Sequence, residues 1–221
     1  MRRVCVVLLG LLFVAWPCMA EPYRIEVLQV GDIEVFGIVM QATIKELNRL
    51  GLVQGRNVHI RRTIIEADIS QGAVDKDEIM DSADRIITAR PDLVLTIGTP
   101  ATKYAKDRII KAGIPLVFTG VAVPTAAGCR SLREAGPGFT GATLYMDMDN
   151  VVKIIRLAFP AIKTLGVVHS EDENAVAQVD LLKKSAAAAG MKVMSRLIDK
   201  NARITPVAEE MNKEGIDAFV I

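Results

Sequence analysis

Apolar and polar positions along this chain fall into blocks that predict strands and helices in alternation. The clearest block is PDLVLTIGTPATKYAKDRIIKAGIPLVFTGV at 91–121. Its apolar run at 93–97, interrupted only by Thr96, is typical of a strand that is covered on both faces. Gly98 and Thr99 then interrupt the apolar pattern, so the strand is expected to end there in a short polar turn.

A helix and a second strand complete this block. Pro100 suits the first turn of a helix, Gly113 ends it, and the apolar run returns at 116–118, followed by Thr119 and Gly120. A crossover of this length joins parallel strands, so both polar strand ends emerge at the same edge of one sheet. Ligands bind at this carboxyl edge in open α/β sheets, and the edge is therefore the predicted place of a site.

The same alternation extends over the rest of the chain. Strands are predicted at 23–30, 57–66, 138–144, 164–169, 192–198 and 218–221, helices at 35–50, 76–90, 150–159, 174–189 and 205–213, and a short helix or turn at 124–134. Repeated βα units predict an α/β fold with two doubly wound parallel-sheet lobes, at 21–146 and 147–221. The second lobe is thin and ends on a strand pattern. We therefore expect it to be incomplete and the chain to be the front part of a longer protein; a naturally small lobe is the alternative.

The N-terminus has the pattern of a secretory signal. Two arginines, an apolar run at 4–16 and small residues before a cleavage point predict a signal peptide at 1–20. A membrane anchor is one alternative, but the run is shorter than the about 20 residues that span a bilayer. Lipidation at Cys18 is another, disfavoured by the bulky Trp16-Pro17 before it. The mature chain is expected to be periplasmic or extracellular.

Composition excludes several classes of function. Loss of the two signal-peptide arginines changes the formal net charge from +1 to −1, and no basic run remains, so no nucleic-acid partner is expected. Cleavage leaves Cys129 as the single cysteine, which can form no intramolecular disulfide. With two histidines and no nucleotide, hydrolase or zinc motif, we expect no metal, no cofactor and no enzyme activity.

Candidate ligand-binding residues follow the strands of the first lobe. Asp32 and Glu34 come directly after the first strand and could receive an ammonium group. Thr99 lies where a helix N-terminus stabilises a carboxylate or phosphate, and Thr119 follows the next strand. Each of these residues could instead serve only as a turn residue or a helix cap.

Two further candidates follow a strand of the second lobe. His169 ends that strand at the ligand edge, and Asn174 offers an amide that both donates and accepts hydrogen bonds. The acidic residues between them are expected to cap the next helix in preference to binding a metal. Asp149 is the expected cap of the helix at 150–159.

Several segments together resemble a known family. The segments TIGTPATKYAKDRIIKAGIPLVFTGVAVP, GFTGATLY, PAIKTLGVVHSEDENAVAQVDLLKKSAAAAGMKV and EGIDAFVI, with YRIEVLQV and LNRLGLVQGRNVHI before them, are similar to type I periplasmic solute-binding proteins of ABC transporters. The similarity is greatest to the branch that includes aromatic amino-acid binders. The chain departs from the family pattern at three places. Val123-Pro124 stands where the family tends to have Asp-Pro, and Asn174-Ala175 stands where it tends to have Asn-Ser. Phe139-Thr140-Gly141 follows Gly138, where the family tends to have Asn before Val/Thr-Thr-Gly.

The resemblance implies a function without catalysis. Two lobes would close on a small polar ligand, an amino acid or a similar molecule, and present it to an ABC permease in the inner membrane. The family pattern places the ligand near Thr99, Thr119 and Asn174 and near the turn after the first strand. The alternative is a ligand-sensing ectodomain of a signalling protein. An enzyme with this fold is the third and least favoured reading.

Overall fold

Parallel strands alternate with helices throughout the computed structural model of the chain, which describes residues 21–67, 74–199 and 201–220. The predicted signal peptide lies outside these residues. The first lobe consists of β1 Tyr23–Val30, α1 Glu34–Arg49, β2 Val58–Ile65, α2 Lys76–Thr88, β3 Leu93–Ile97, α3 Thr99–Lys111, β4 Leu116–Val121, a 3₁₀ helix Pro124–Ala127 and β5 Phe139–Thr143. The second lobe consists of α4 Met148–Ala158, β6 Thr164–His169, α5 Glu173–Ala188, β7 Lys192–Leu197, α6 Ile204–Lys213 and β8 Ala218–Phe219.

The first lobe is a doubly wound unit, as predicted. Its five strands are parallel in the order β2-β1-β3-β4-β5. Because side chains alternate along a strand, each face of the sheet has its own apolar core. Phe36 and Met40 of α1 pack on one face against Val27 and Ile97, whereas α2 and α3 cover the other face.

The second lobe repeats the arrangement with fewer strands. Its sheet has the order β7-β6-β8, and all pairs are parallel. Val152 of α4 and Leu182 of α5 pack with Leu165 of β6 in one apolar core. Met211 of α6 is fully buried as well, and α6 contacts β6. The predicted α/β class is confirmed in both lobes, and the division at residue 146 stays a prediction.

The predicted end of β4 is wrong for an identifiable reason. Strand β4 continues to Val121, so Thr119 and Gly120 lie inside it and not after it. Pairing with β5 continues past an irregularity between Phe118 and Val121, which keeps the segment in the sheet.

The cap of α4 also differs from the prediction. Helix α4 begins at Met148, and its N-cap is Asp147, whose carboxylate accepts a hydrogen bond from the Asp149 amide at 3.0 Å. Both aspartates suit a cap by residue type, and the backbone conformation decides between them. The last predicted strand is shorter than expected: only Ala218 and Phe219 pair with β6, and the final residue lies outside the described chain.

Phe36 fixes the position of the strand ends that face the second lobe. Gly98 and Gly120 have φ angles of 92° and 68°, which favour glycine. A Cβ atom on either residue would approach the Phe36 ring to 3.2 Å. The ring therefore packs directly on the backbone at the ends of β3 and β4, and this holds the start of α3 at the carboxyl edge of the sheet.

Candidate interlobe ligand site

The N-terminal ends of α3 and α5 meet between the two lobes. The Thr99 hydroxyl, on the first residue of α3, donates a hydrogen bond of 2.5 Å to Oδ1 of Asn174 on α5. Thr99 is fully buried and Asn174 is half-buried. The two predicted residues therefore lie on opposite walls of one cleft, which is closed at this point by their mutual hydrogen bond.

The start of α3 presents uncapped backbone amides. Its N-cap is Gly98, which has no side chain to accept hydrogen bonds from the first turn. The Gly98 amide donates to the Thr119 carbonyl at 2.9 Å, and the Thr102 hydroxyl donates to the Gly98 carbonyl at 2.9 Å. These bonds fix the turn while the first amides of the helix remain free of side-chain caps. Such a helix end stabilises negative charge.

The start of α5, unlike that of α3, is capped by a side chain. The carboxylate of Asp172 accepts hydrogen bonds from the amides of Asn174 and Ala175 at 3.0 and 2.9 Å. The acidic segment after β6 therefore caps its helix, as the sequence predicts. Since an acid already fills this end of α5, α3 is the helix end at the cleft that is suited to an anionic group.

An ion pair joins the lobes beside this contact. Oε1 of Glu173 accepts hydrogen bonds from Lys103 Nζ at 2.9 Å and from the Tyr104 hydroxyl at 2.6 Å. Partial burial acts to raise the pKa of Glu173. The hydrogen bonds from Tyr104 and Lys103, together with the charges of Lys103 and Lys76, outweigh burial and hold this pKa below its ordinary value. Burial likewise acts to lower the pKa of Lys103, but Glu173 outweighs it and raises this pKa.

The acids after β1 lie at the predicted edge of the sheet but apart from this contact. Asp32 is 3.6 Å from Nη2 of Arg62, a nitrogen that also donates to Oε1 of Gln29. Glu34 is exposed in the first turn of α1. An ammonium group at Asp32 would therefore compete with the guanidinium of Arg62.

Thr119 faces α1 and not α5. It is half-buried and lines a surface groove together with Val39, Thr43 and Leu47 of α1. Alternation along β4 explains this placement, because Phe118 points to the α3 side of the sheet and its neighbour must point to the other side. The Thr119 carbonyl, which holds Gly98, is its only link to the cleft that the described residues show.

His169 lies at the end of β6 and lines a cavity in the second lobe. Its Nδ1 is 2.9 Å from the carbonyl oxygen of Ser170, which fixes the ring within its own loop. The cavity has a volume of about 330 Å³ and is mostly apolar. Its walls come from the segment that joins β5 to α4, from the start of α4, from β6, from α5 and from the residue after β8. They include Met146, Met148, Val167, His169, Gln178 and Leu182. Ala175, next to Asn174, also lines it, so the cavity lies directly behind the interlobe contact.

Sequence reasoning missed Lys103, Tyr104 and Glu173. Lys103 follows Thr99 by four residues and so shares its face of α3. That spacing was a usable signal once Thr99 had been placed at the cleft. Glu173 was assigned only to the capping segment, because its two partners lie about 70 residues earlier in the chain.

The described ranges contain no group of three or more His, Cys, Asp or Glu side chains arranged to hold a metal ion. In the same ranges, no helix combines the length and the apolar character that a membrane crossing requires. Cys129, the cysteine within these ranges, is a buried free thiol, and burial raises its pKa.

Comparison with known sequences places the chain in a family. The family described as "ABC transporter substrate binding protein" matches residues 38–221. A tyrosine-binding protein of Clostridioides difficile is 26% identical over 163 residues, which cover 73% of this chain and 45% of that protein.

Solved structures share the fold. A conserved domain protein from Vibrio cholerae has a TM-score of 0.68 at 24% identity, and a Streptococcus pneumoniae ABC domain in complex with L-Trp has 0.67 at 22%. A ligand-free, open substrate-binding protein with adhesive properties from Clostridium difficile has 0.64 at 24%. The matches cover 89–90% of this chain but 64% of each solved chain, so the chain spans less than two thirds of these relatives.

Proposed function

The chain belongs to the ABC transporter substrate-binding protein family, and from this we propose that it binds a small polar ligand between its two lobes for uptake. The ligand is an amino acid or a similar molecule, and the partner is an ABC permease in the inner membrane. The predicted signal peptide at 1–20 would deliver the protein to the periplasm or to the cell exterior.

The observation that carries this proposal is the hydrogen bond between Thr99 and Asn174. It joins the two walls of the cleft at the uncapped start of α3. A ligand carboxylate at this helix end would replace Asn174 as the acceptor of the Thr99 hydroxyl and would also accept hydrogen bonds from backbone amides, while the Asn174 amide nitrogen would donate to it from the other lobe. Closure around the ligand then excludes water and strengthens these bonds.

The cavity behind Asn174 supports an amino acid with an apolar side chain. At about 330 Å³, with apolar walls and only His169, Ser170 and Gln178 as polar members, it could hold an aromatic or branched group. Two relatives are described as binding tyrosine and L-Trp. We therefore propose that the carboxylate binds at α3 and the side chain enters the second lobe.

Calorimetric titration of the chain without residues 1–20 tests the ligand class. The probes are L-tryptophan, L-tyrosine and L-leucine, with L-tryptophanamide as the matched compound that lacks the carboxylate. We expect at least one amino acid to bind and the amide to bind at least about tenfold more weakly, since each charge-assisted hydrogen bond contributes about 1.5–3 kcal/mol. Equal binding of the amide would contradict the carboxylate site, and no binding of any probe would contradict the ligand class.

Substitutions test the two walls separately. Thr99→Val removes the hydroxyl at nearly constant volume, and Asn174→Ala removes the amide. Each should weaken binding by about 10- to 100-fold if the group contacts the ligand carboxylate. Thr88→Val and Asn48→Ala make the same chemical changes on exposed helix positions of the first lobe and should leave binding unchanged. Unchanged binding in both cleft variants would overturn the site.

The role in uptake is tested with the transporter. We expect a permease gene beside the gene for this chain, and ATP hydrolysis by that permease should rise when the ligand-loaded chain is added. Ligand binding without such stimulation would argue against uptake and for a sensory role.

A further inference from the structure

We propose that Glu173 is a positioning residue that fastens the lobes together and thereby sets the fraction of molecules in the closed arrangement. With Lys103 and Tyr104 it forms what we call the interlobe latch. The latch acts through Asn174 and does not itself contact the ligand. Its effect on ligand affinity rests on the proposed function, whereas its effect on lobe separation does not.

The latch is built from consecutive residues on each side. Lys103 and Tyr104 follow each other on α3, and both donate to the same oxygen, Oε1 of Glu173, at 2.9 and 2.6 Å. Nζ of Lys103 also lies 5.2 Å from the centroid of the Tyr104 ring, and Nζ of Lys76 lies 5.3 Å from it. Two lysines of the first lobe thus place positive charge around a single carboxylate of the second lobe.

The latch is tied to the cleft by its place in each helix. Glu173 is the first residue of α5 and directly precedes Asn174. Lys103 lies one helical turn after Thr99 on the same face of α3. When the carboxylate binds Lys103 and Tyr104, the first turn of α5 is held where Asn174 reaches Thr99. Loss of the latch therefore frees the wall that carries Asn174 without removing any of the proposed ligand contacts.

The latch is suited to being reversible. The side chains of Lys103 and Glu173 are 39% and 38% exposed, and Oε2 of Glu173 is buried with no hydrogen-bond partner among the described residues, so the net strength of the pair is modest. A partly exposed pair shifts an open–closed equilibrium by about two- to fivefold, which is enough to tune an affinity without locking the protein shut.

The test measures lobe separation without a ligand. In the chain without residues 1–20, which lacks Cys5 and Cys18, spin labels are placed at Lys111→Cys on the first lobe and Lys184→Cys on the second, both at exposed positions, in a Cys129→Ala background. Distances between the labels are measured by double electron–electron resonance. Glu173→Gln keeps the size of the side chain and an oxygen for Tyr104 but removes the charge. We expect Glu173→Gln to raise the ratio of open to closed molecules, seen as long and short label distances, by about two- to fivefold.

Matched variants separate the latch from a general charge effect. Glu171→Gln removes the same charge from an exposed position two residues away and should leave the distances unchanged. Lys103→Met should reproduce the effect of Glu173→Gln, and the double variant should add nothing to either single change. Identical distances in Glu173→Gln and the parent would overturn the proposal, as would an equal shift in Glu171→Gln. If Glu173→Gln does not fold, Lys103→Met decides by the same criterion.

Titration with L-tryptophan completes the test. If this probe binds the parent, Glu173→Gln should weaken binding by about the factor seen in the distances, because only the closed fraction changes. Failure of L-tryptophan, L-tyrosine and L-leucine alike to bind the parent would count against the proposed ligand class and leave the distance result standing. Binding that is unchanged although the distances shift would overturn the link between latch and affinity.

Discussion

The two lobes share one topology but bury their sheets to different extents. In the first lobe, helices cover both faces, and six of the eight residues of β1 are buried. In the second lobe, three of the six residues of the central strand β6 are buried, and β8 pairs over two residues. The first lobe therefore provides the more rigid wall of the cleft, and the second lobe provides the more easily deformed one. The polar contacts between α3 and α5 therefore join partners of unequal stability.

Matched core truncations test this comparison and carry the largest expected effect. Ile97 in β3 and Leu165 in β6 are both fully buried. Ile97→Ala and Leu165→Ala should each cost about 2–5 kcal/mol of unfolding free energy through lost burial and the cavity left behind. Because the second lobe has fewer covering elements, we expect Leu165→Ala to unfold that lobe while the first stays folded.

Amide hydrogen exchange, followed element by element, measures the two lobes separately. In Leu165→Ala, the amides of β6 and β7 should exchange quickly while those of β1 and β3 stay protected. In Ile97→Ala, protection should fall first in the five-stranded sheet. Ile97→Val is the mild control, with an expected cost of about 0.5–1.5 kcal/mol. Equal loss of protection in both lobes would show a single cooperative unit and break the comparison.

The sequence was sufficient for the fold because its signals are local. Each predicted strand and helix is present. Apolar runs, their periodicity and the glycines and prolines that end an element all determine local structure over a few residues. The predicted boundary of a strand was wrong where pairing with a strand distant in sequence determines its length. The extension of β4 through Gly120 depends on pairing with β5, about 20 residues later, and nothing in the run LVFTG indicates it.

The placement of the candidate residues was predictable to the same extent. Thr99 and Asn174 follow strands at carboxyl edges, so topology alone brings them to the cleft. The side of the sheet that Thr119 faces follows from alternation once the true length of β4 is known. The partners of Glu173 could not be predicted from spacing, because the relative placement of α3 and α5 is set by tertiary packing between the lobes.

Replacing one glycine in each lobe by alanine compares the two lobes through a smaller expected change in unfolding free energy. Alanine at Gly120 meets two obstacles, a φ of 68° and a Cβ position 3.2 Å from the buried Phe36 ring. Alanine at Gly166 in β6 meets Ile216 Cδ1 at 2.6 Å and the Phe219 ring at 3.0 Å, but the first atom ends a flexible side chain and the ring is 39% exposed. We expect Gly120→Ala to cost about 1–3 kcal/mol, through a strained backbone, and Gly166→Ala to cost less.

Urea denaturation of the two glycine variants, each compared with the parent, gives the two free energies. The variants control for each other, because both add one methyl group to a central strand. A larger loss for Gly166→Ala would reverse the comparison, since it would make the second lobe the less adaptable of the two.

The pH dependence of the interlobe latch is the smallest expected effect. The pKa of Glu173 in the closed arrangement lies below its ordinary value, so the latch is fully formed above that ordinary value and is lost as the pH falls through the lowered one. The pKa of Lys103 is raised, so at the alkaline end the latch is lost as the pH rises through the raised value. Between the two limits, label distances across the lobes should be constant.

Acidification also titrates Asp217 in the second lobe, whose pKa is lowered by hydrogen bonds from the amides of Lys163 and Thr164. The variant Glu173→Gln distinguishes the effect of protonating Glu173 from the effect of protonating Asp217. In that variant the carboxylate of the latch is absent, so the acid-induced change in lobe separation should disappear while any loss of second-lobe stability through Asp217 persists. An acid-induced separation of the same size in Glu173→Gln would assign the effect to the fold of the second lobe. The polar contact between the lobes would then be a consequence of their packing and not a control on it.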